Sequence, residues 1–102
     1  MSELTGRQRR QLRGLAHALS PIVQVGKEGV TPALAAQVGR ALDAHELIKV
    51  RFLAGKEEKH LLVAELAAAT GAAEAGVVGH VAILYRAHPD PKKRKVRLEP
   101  ED

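Results

Sequence analysis

The stretch from Ile22 to Pro32 constrains this chain more than any other. A short apolar run, Ile22-Val23-Gln24-Val25, meets Gly26-Lys27-Glu28-Gly29 and then Thr31-Pro32. Thr31 suits the N-cap of a helix, and Pro32 suits the first helical position, where a missing N–H costs nothing. The segment therefore reads as strand, tight turn, helix. A strand that turns through two glycines onto a helix leaves backbone N–H groups free to face an anion, which makes the turn a candidate phosphate seat. A lone G-x-x-G is also an ordinary turn, since glycine permits φ angles that other residues resist, so the surrounding sequence decides its weight.

The chain has 102 residues, of which 45% are hydrophobic, enough for one modest core and one domain. The expected domain is 1–98, with 99–102 as a free acidic tail. The absence of cysteine excludes disulfides, thiolate metal sites and thiol catalysis. No apolar run approaches the roughly 20 residues of a membrane helix, and Met1-Ser2-Glu3-Leu4 does not open a signal peptide. The expectation is a soluble cytoplasmic monomer.

The net charge is +4 with a pI near 9.8, and it is concentrated at the ends. Met1 to Ser20 carries four arginines against one glutamate, and Arg86 to Asp102 carries six basic residues against four acidic ones. Between them, six basic residues meet seven acidic ones. The middle builds structure and the ends attract anions, with Lys92-Lys93-Arg94-Lys95 as the C-terminal kernel. No helix pairs its basic face with Trp or Phe anchors, so a membrane surface is a poor partner and nucleic acid a better one.

The first helix opens at Thr5, in capping-box spacing with Gln8, and Leu12, Leu15, Ala16 and Leu19 form its apolar stripe. Arg9, Arg13 and His17 recur at i, i+4 and i+8 as a basic ridge, with His17 read as a surface residue. The second helix runs from Pro32 to about Ala44 with Leu34, Val38, Ala41 and Leu42 inward. Ile48, Val50 and Phe52 alternate with Lys49 and Arg51, a strand with one packed and one polar face. A third helix spans Lys56 to Thr70, with Leu62, Leu66 and Ala69 inward and Gly71 ending it. After a loop from Gly71 to Gly76, Val77 to Tyr85 reads as one central strand covered on both faces. One arrangement that supplies such cover places the first helix over part of the second face of the sheet. Lys95-Val96-Arg97-Leu98 alternates like a final edge strand. The fold class is α/β (α+β), in the order α-β-α-β-α-β-β around a four-stranded mixed sheet.

No catalytic constellation emerges, and the chain reads as a non-enzyme without cofactor, metal or small-molecule substrate. The five histidines, at 17, 45, 60, 80 and 88, show no metal-ligand spacing, and His80 reads as a structural histidine within a strand. Glu57-Glu58 stands at a helix start, where negative charge complements the dipole. The glycine turn lacks the G-x-x-x-x-G-K-[ST] pattern of a nucleotide-binding loop. With 2% aromatics, Phe52 and Tyr85 belong to the core, and recognition rests on phosphates and shape rather than on several stacked bases.

Gly14-Leu15-Ala16-His17, Val25-Gly26-Lys27-Glu28-Gly29, His45-Glu46-Leu47-Ile48-Lys49-Val50, and Gly79 through Leu84-Tyr85-Arg86 occur jointly and in order. This combination, spanning roughly Leu4 to Leu98, resembles the bacterial YhbY-like proteins, the stand-alone form of the CRM domain. The resemblance implies a fold similar to the C-terminal domain of translation initiation factor three. It also implies an RNA-binding role on precursors of the large ribosomal subunit. In that family a G-x-x-G loop, compared with that of KH domains, is thought to contact RNA together with nearby basic residues. Here the loop maps onto Gly26, Lys27, Glu28 and Gly29, and charge adds Arg9, Arg10, Arg13, Lys49 and Arg51. Glu28 repels phosphate unless it points away or pairs with Lys27. Two other readings stand beside this one: a module docking on an acidic ribosomal or assembly protein, and nonspecific DNA binding.

Overall fold

The computed structural model describes residues 4–53 and 56–98. Three α-helices, α1 (Gly6–Ala16), α2 (Pro32–His45) and α3 (Lys56–Thr70), accompany four strands: β1 (Pro21–Val25), β2 (Leu47–Phe52), β3 (Ala73–Val78) and β4 (Val81–Tyr85). The helix starts form as the sequence dictates. The Thr5 hydroxyl accepts from the Gln8 amide at 3.0 Å while the Gln8 side chain accepts from the Thr5 amide at 3.1 Å. Thr31 accepts from the Leu34 amide at 3.1 Å, with Pro32 at the first helical position.

The strands form one mixed sheet in the order β1-β2-β4-β3. β1 lies parallel to β2 across the α2 crossover, and the other two pairings are antiparallel. One face packs on α2 and α3, where Val25, Val50, Phe52 and Leu84 meet Val38, Leu42, Val63 and Leu66 in the main core. A smaller core lies on the other face, where Leu12 and Ala16 of α1 cover Leu47, Ala75, Ile83 and Tyr85. The first helix does cover part of the second face, the arrangement expected for the apolar run; Leu84 itself faces α2 and α3.

Several local expectations give way to long-range packing. Val77 to Tyr85 is two strands rather than one: Gly79, at φ 60, and His80 form a two-residue turn, and β3 begins at Ala73 inside the expected loop. Glycine at the first central position is the type II′ pattern, whose twist suits a hairpin. His80 is therefore exposed at a turn, not held in a strand. The buried Lys59 donates to the Gly79 carbonyl and ties that turn to α3. Residues 95–98 form no strand; Val96 and Leu98 pack against the smaller core without joining the sheet. Leu15 is 47% exposed, Leu19 is also exposed, and Ala69 faces solvent, so only part of each expected stripe is buried. Gly71 ends α3 at φ 70, as expected. The expected tail at 99–102 lies outside the described residues.

Candidate nucleic-acid interface

The glycine turn stands at the C-terminal end of β1, closed by a bond from the Gly29 amide to the Gly26 carbonyl at 3.1 Å. Lys27 and Glu28 occupy its tip with negative φ, the type I pattern, and Gly29 follows at φ 71. Only Gly29 uses the left-handed freedom of glycine. The Gly29 amide is consumed by the turn, while the amides of Lys27 and Glu28 bond to no described residue. Lys27 and Glu28 are exposed and form no ion pair with each other. One side of the turn borders a cleft of about 600 Å³ shared with Glu58 and Glu65 of α3 and with Leu53 and Leu61. Three carboxylates against one lysine make that side acidic.

The opposite face of the sheet is basic. β-strand register sets Gln24, Arg51, Val81 and Val78 in one row across the four strands, and Pro21, Lys49, Ile83 and Gly76 in the next. α1 covers Tyr85 and Leu47 beyond these rows, so the first row is left open. Arg13 and His17 of α1 overhang it, and together with Lys49, Arg51, Pro21, Val78, Val81 and Ile83 they line a cleft of about 460 Å³. Arg51 lies opposite Gln24, two residues before Gly26. With strands about 4.8 Å apart and a rise of about 3.3 Å per residue, its Cα lies about 8 Å from that of Gly26.

The cations differ in their freedom. Arg13 donates through Nη1 to the Ala75 carbonyl at 3.1 Å, and Lys49 donates through Nζ to the Leu19 carbonyl at 3.0 Å. Arg51 and His17 have no hydrogen bond or ion pair with a described residue. Arg9 and Arg10 are exposed on α1 and line neither cleft. The structure thus brings Arg13, Lys49 and Arg51 together, sets the turn at the same sheet end as Arg51, and leaves Arg9 and Arg10 apart. His17 joins the cleft although it read as mere surface; its spacing of four from Arg13 was the signal.

Glu46 fixes the C-terminal basic segment. Buried at the junction of α2 and β2, it has φ 63, and its carboxylate accepts the amides of His88 and Val96 at 2.7 Å and that of Lys95. Burial pushes this carboxyl up; the amides of His88, Val96 and Lys95, with Arg94 nearby, outweigh it and hold the group below the usual carboxylate range. Arg86 braces the same region, donating to the Thr70 and Gly39 carbonyls and pairing with Asp43 at 2.6 Å. Lys95 donates to the Ala44 carbonyl and Arg94 to that of His88, so half of the C-terminal cationic run serves the fold. Among the described residues, no cluster of His, Asp or Glu suits a metal ion, and no helix is long and apolar enough to cross a membrane.

The chain and its fold have counterparts among known proteins. The CRS1 / YhbY (CRM) domain model matches residues 4–86. The chain belongs to the CRS1/YhbY (CRM) domain family. Among its CRM relatives, an "RNA-binding protein" of Haemophilus influenzae is 39% identical over 93 residues, covering 90% of this chain and 94% of its own. A Bacillus subtilis protein, "Probable RNA-binding protein YqeI", is 42% identical over 91 residues, covering 88% of this chain and 95% of its own. The solution structure of the hypothetical protein SAV1595 from Staphylococcus aureus superposes with a TM-score of 0.78 at 36% identity, covering 92% of this chain and 99% of that one. The α+β fold with a four-stranded mixed sheet, expected from the sequence, is what the chain adopts.

Proposed function

We propose that this protein is a non-enzymatic RNA-binding protein of the cytoplasm that acts, as a monomer, on precursors of the large ribosomal subunit. One observation carries the reading: an open sheet face bearing Arg51 and Lys49 ends at the turn whose Lys27 and Glu28 amides bond to no described residue. Phosphates on consecutive nucleotides meet cations along the cleft and N–H groups at its end, with Lys27 beside them. Gly26, Lys27, Glu28 and Gly29 supply the turn, with the amides of Lys27 and Glu28 as its backbone donors. Arg13, Lys49 and Arg51 supply the cleft, and Arg9 and Arg10 extend the positive field along α1. The RNA-binding names of CRM relatives from two bacteria support RNA as the partner.

Two measurements test this. If about five phosphates are neutralised, log K falls with log salt at a slope near −4, and a flat response overturns the reading. Crosslinking the protein to RNA in cells and mapping the reads tests the target; reads without enrichment in large-subunit ribosomal RNA overturn the assembly role.

A further inference from the structure

We propose that the cleft between α1 and the open sheet face is a pocket for one unpaired RNA base, so that this protein reads single-stranded or bulged nucleotides and not backbone alone. The inference rests on the RNA-binding reading above and adds the form of RNA that the site takes.

The composition of the lining carries the argument. A site that met only phosphates would be cationic throughout, yet half of this cleft is aliphatic: Pro21, Val78, Val81 and Ile83 form its floor. Val78 is 66% exposed, so the floor offers apolar surface to whatever enters. A phosphate chain leaves that surface in water, whereas the face of a base covers it. The register places Val81 directly between Arg51 and Val78, so guanidinium and apolar floor adjoin in one row within the reach of a single nucleotide.

The rim supplies complementary chemistry. His17 and Arg51 are exposed and bond to no described residue. Imidazole rings and guanidinium planes are groups on which unstacked RNA bases stack, and either can also donate to a base edge. Arg13 and Lys49, tethered to the Ala75 and Leu19 carbonyls, are fixed cations suited to the adjoining phosphates. The volume, about 460 Å³, lies in the range of small-ligand pockets. The scarcity of aromatic residues, which argued against base stacking in the sequence, does not apply to a site built from aliphatic floor, imidazole and guanidinium.

The test compares three labelled probes at one salt concentration: a single-stranded RNA of about eight nucleotides, an abasic ribose-phosphate oligomer of the same length, and a blunt RNA duplex. The single strand is expected to bind at least about fivefold more tightly than the abasic oligomer, the lower end of what one stacked base contributes. His17→Ala and Val78→Ser, both at exposed positions, bring that ratio to about one. A parent ratio near one, or a ratio that survives both substitutions, overturns the pocket while leaving phosphate binding intact. A Glu-Leu copolymer that binds more tightly than the single strand and loses that margin in Val78→Ser also overturns it and assigns the floor to a protein partner. If none of the three nucleic acids binds, the RNA-binding reading falls together with this one.

Discussion

The side chain of Arg13 lies across Gly76: a Cβ on that glycine would stand 2.8 Å from Arg13 Cδ. Gly76 sits where β3 shifts register against β4, and Arg13 crosses it to reach the Ala75 carbonyl. The glycine is needed for close approach and not for its φ angle. Gly76→Ala is expected to push the exposed Arg13 side chain aside and to cost about 0.5–1.5 kcal/mol, the worth of its bond to the Ala75 carbonyl. In an Arg13→Ala background, the same substitution should cost markedly less. A double-mutant cycle by urea denaturation checks this, and additive effects would show that the contact carries no energy. It follows that Arg13→Glu mixes stability with binding, whereas Arg51→Glu, at an unbonded exposed position, isolates binding.

Glu46 combines a strained backbone with a useful carboxylate. Its φ of 63 favours glycine, and Glu46→Gly relieves strain of order 1 kcal/mol. It also strips the amides of His88, Lys95 and Val96 of their acceptor, at about 1–3 kcal/mol for each one left unsatisfied. The expected net result is destabilisation. The sign of the pH effect follows from the lowered folded pKa. Above its ordinary value of 4.5 the carboxylate contributes fully, and as pH falls below that value through the folded pKa the unfolded chain binds the proton first and the contribution is lost. Urea midpoints from pH 6 to pH 3 should therefore fall more steeply in the parent than in Glu46→Gln.

The two glycines of the turn separate a phosphate seat from a plain bend. A Cβ at Gly26 meets nothing within 4 Å and its φ is negative, so Gly26→Ala is expected to change stability by under about 0.5 kcal/mol. If RNA backbone approaches there, the same methyl weakens RNA binding. Gly29, at φ 71 and with Leu62 Cδ2 at 3.2 Å from its would-be Cβ, loses stability on any substitution and is the poorer probe. Lys27→Ala should weaken binding with no change in melting temperature. Parent-like RNA affinity in both Gly26→Ala and Lys27→Ala would reduce the loop to a connector.

Local signals in this sequence were read correctly because the physics behind them is local. The Thr5–Gln8 capping box and Thr31-Pro32 each close within one helical turn. The alternation of β2 reports a sheet with unlike faces. The Gly79-His80 turn was hidden because an apolar run continues on both sides of it, and only the position of glycine marks the bend. Residues 95–98 alternate because Val96 and Leu98 are partly buried against the smaller core, yet the amides of Lys95 and Val96 bond to Glu46 and not to a strand. Alternation reports burial and does not by itself require pairing. Glu46 was missed since a single residue in a left-handed conformation joins α2 to β2 where glycine would be the usual choice. The meeting of Arg13, His17, Lys49 and Arg51 depends on register across three elements, which no window of sequence contains.

The acidic side of the turn makes a last prediction about direction. Glu28 lines the cleft of Glu58 and Glu65 on α3, a cleft to which Arg51 does not belong. Phosphate repelled by three carboxylates on α3's side and attracted by Arg13, Lys49 and Arg51 on the other is steered across the sheet. Converting Glu58 and Glu65 to lysine removes that fence. Both positions are exposed, and Glu58 lies in the first turn of α3, so a small loss of helix stability, about 0.3–1 kcal/mol, accompanies its reversal. RNA affinity should rise, and the salt slope should steepen by about one for each lysine that gains a phosphate. If affinity instead falls with the slope unchanged, the carboxylates are contacts and not a fence, and RNA passes over α3.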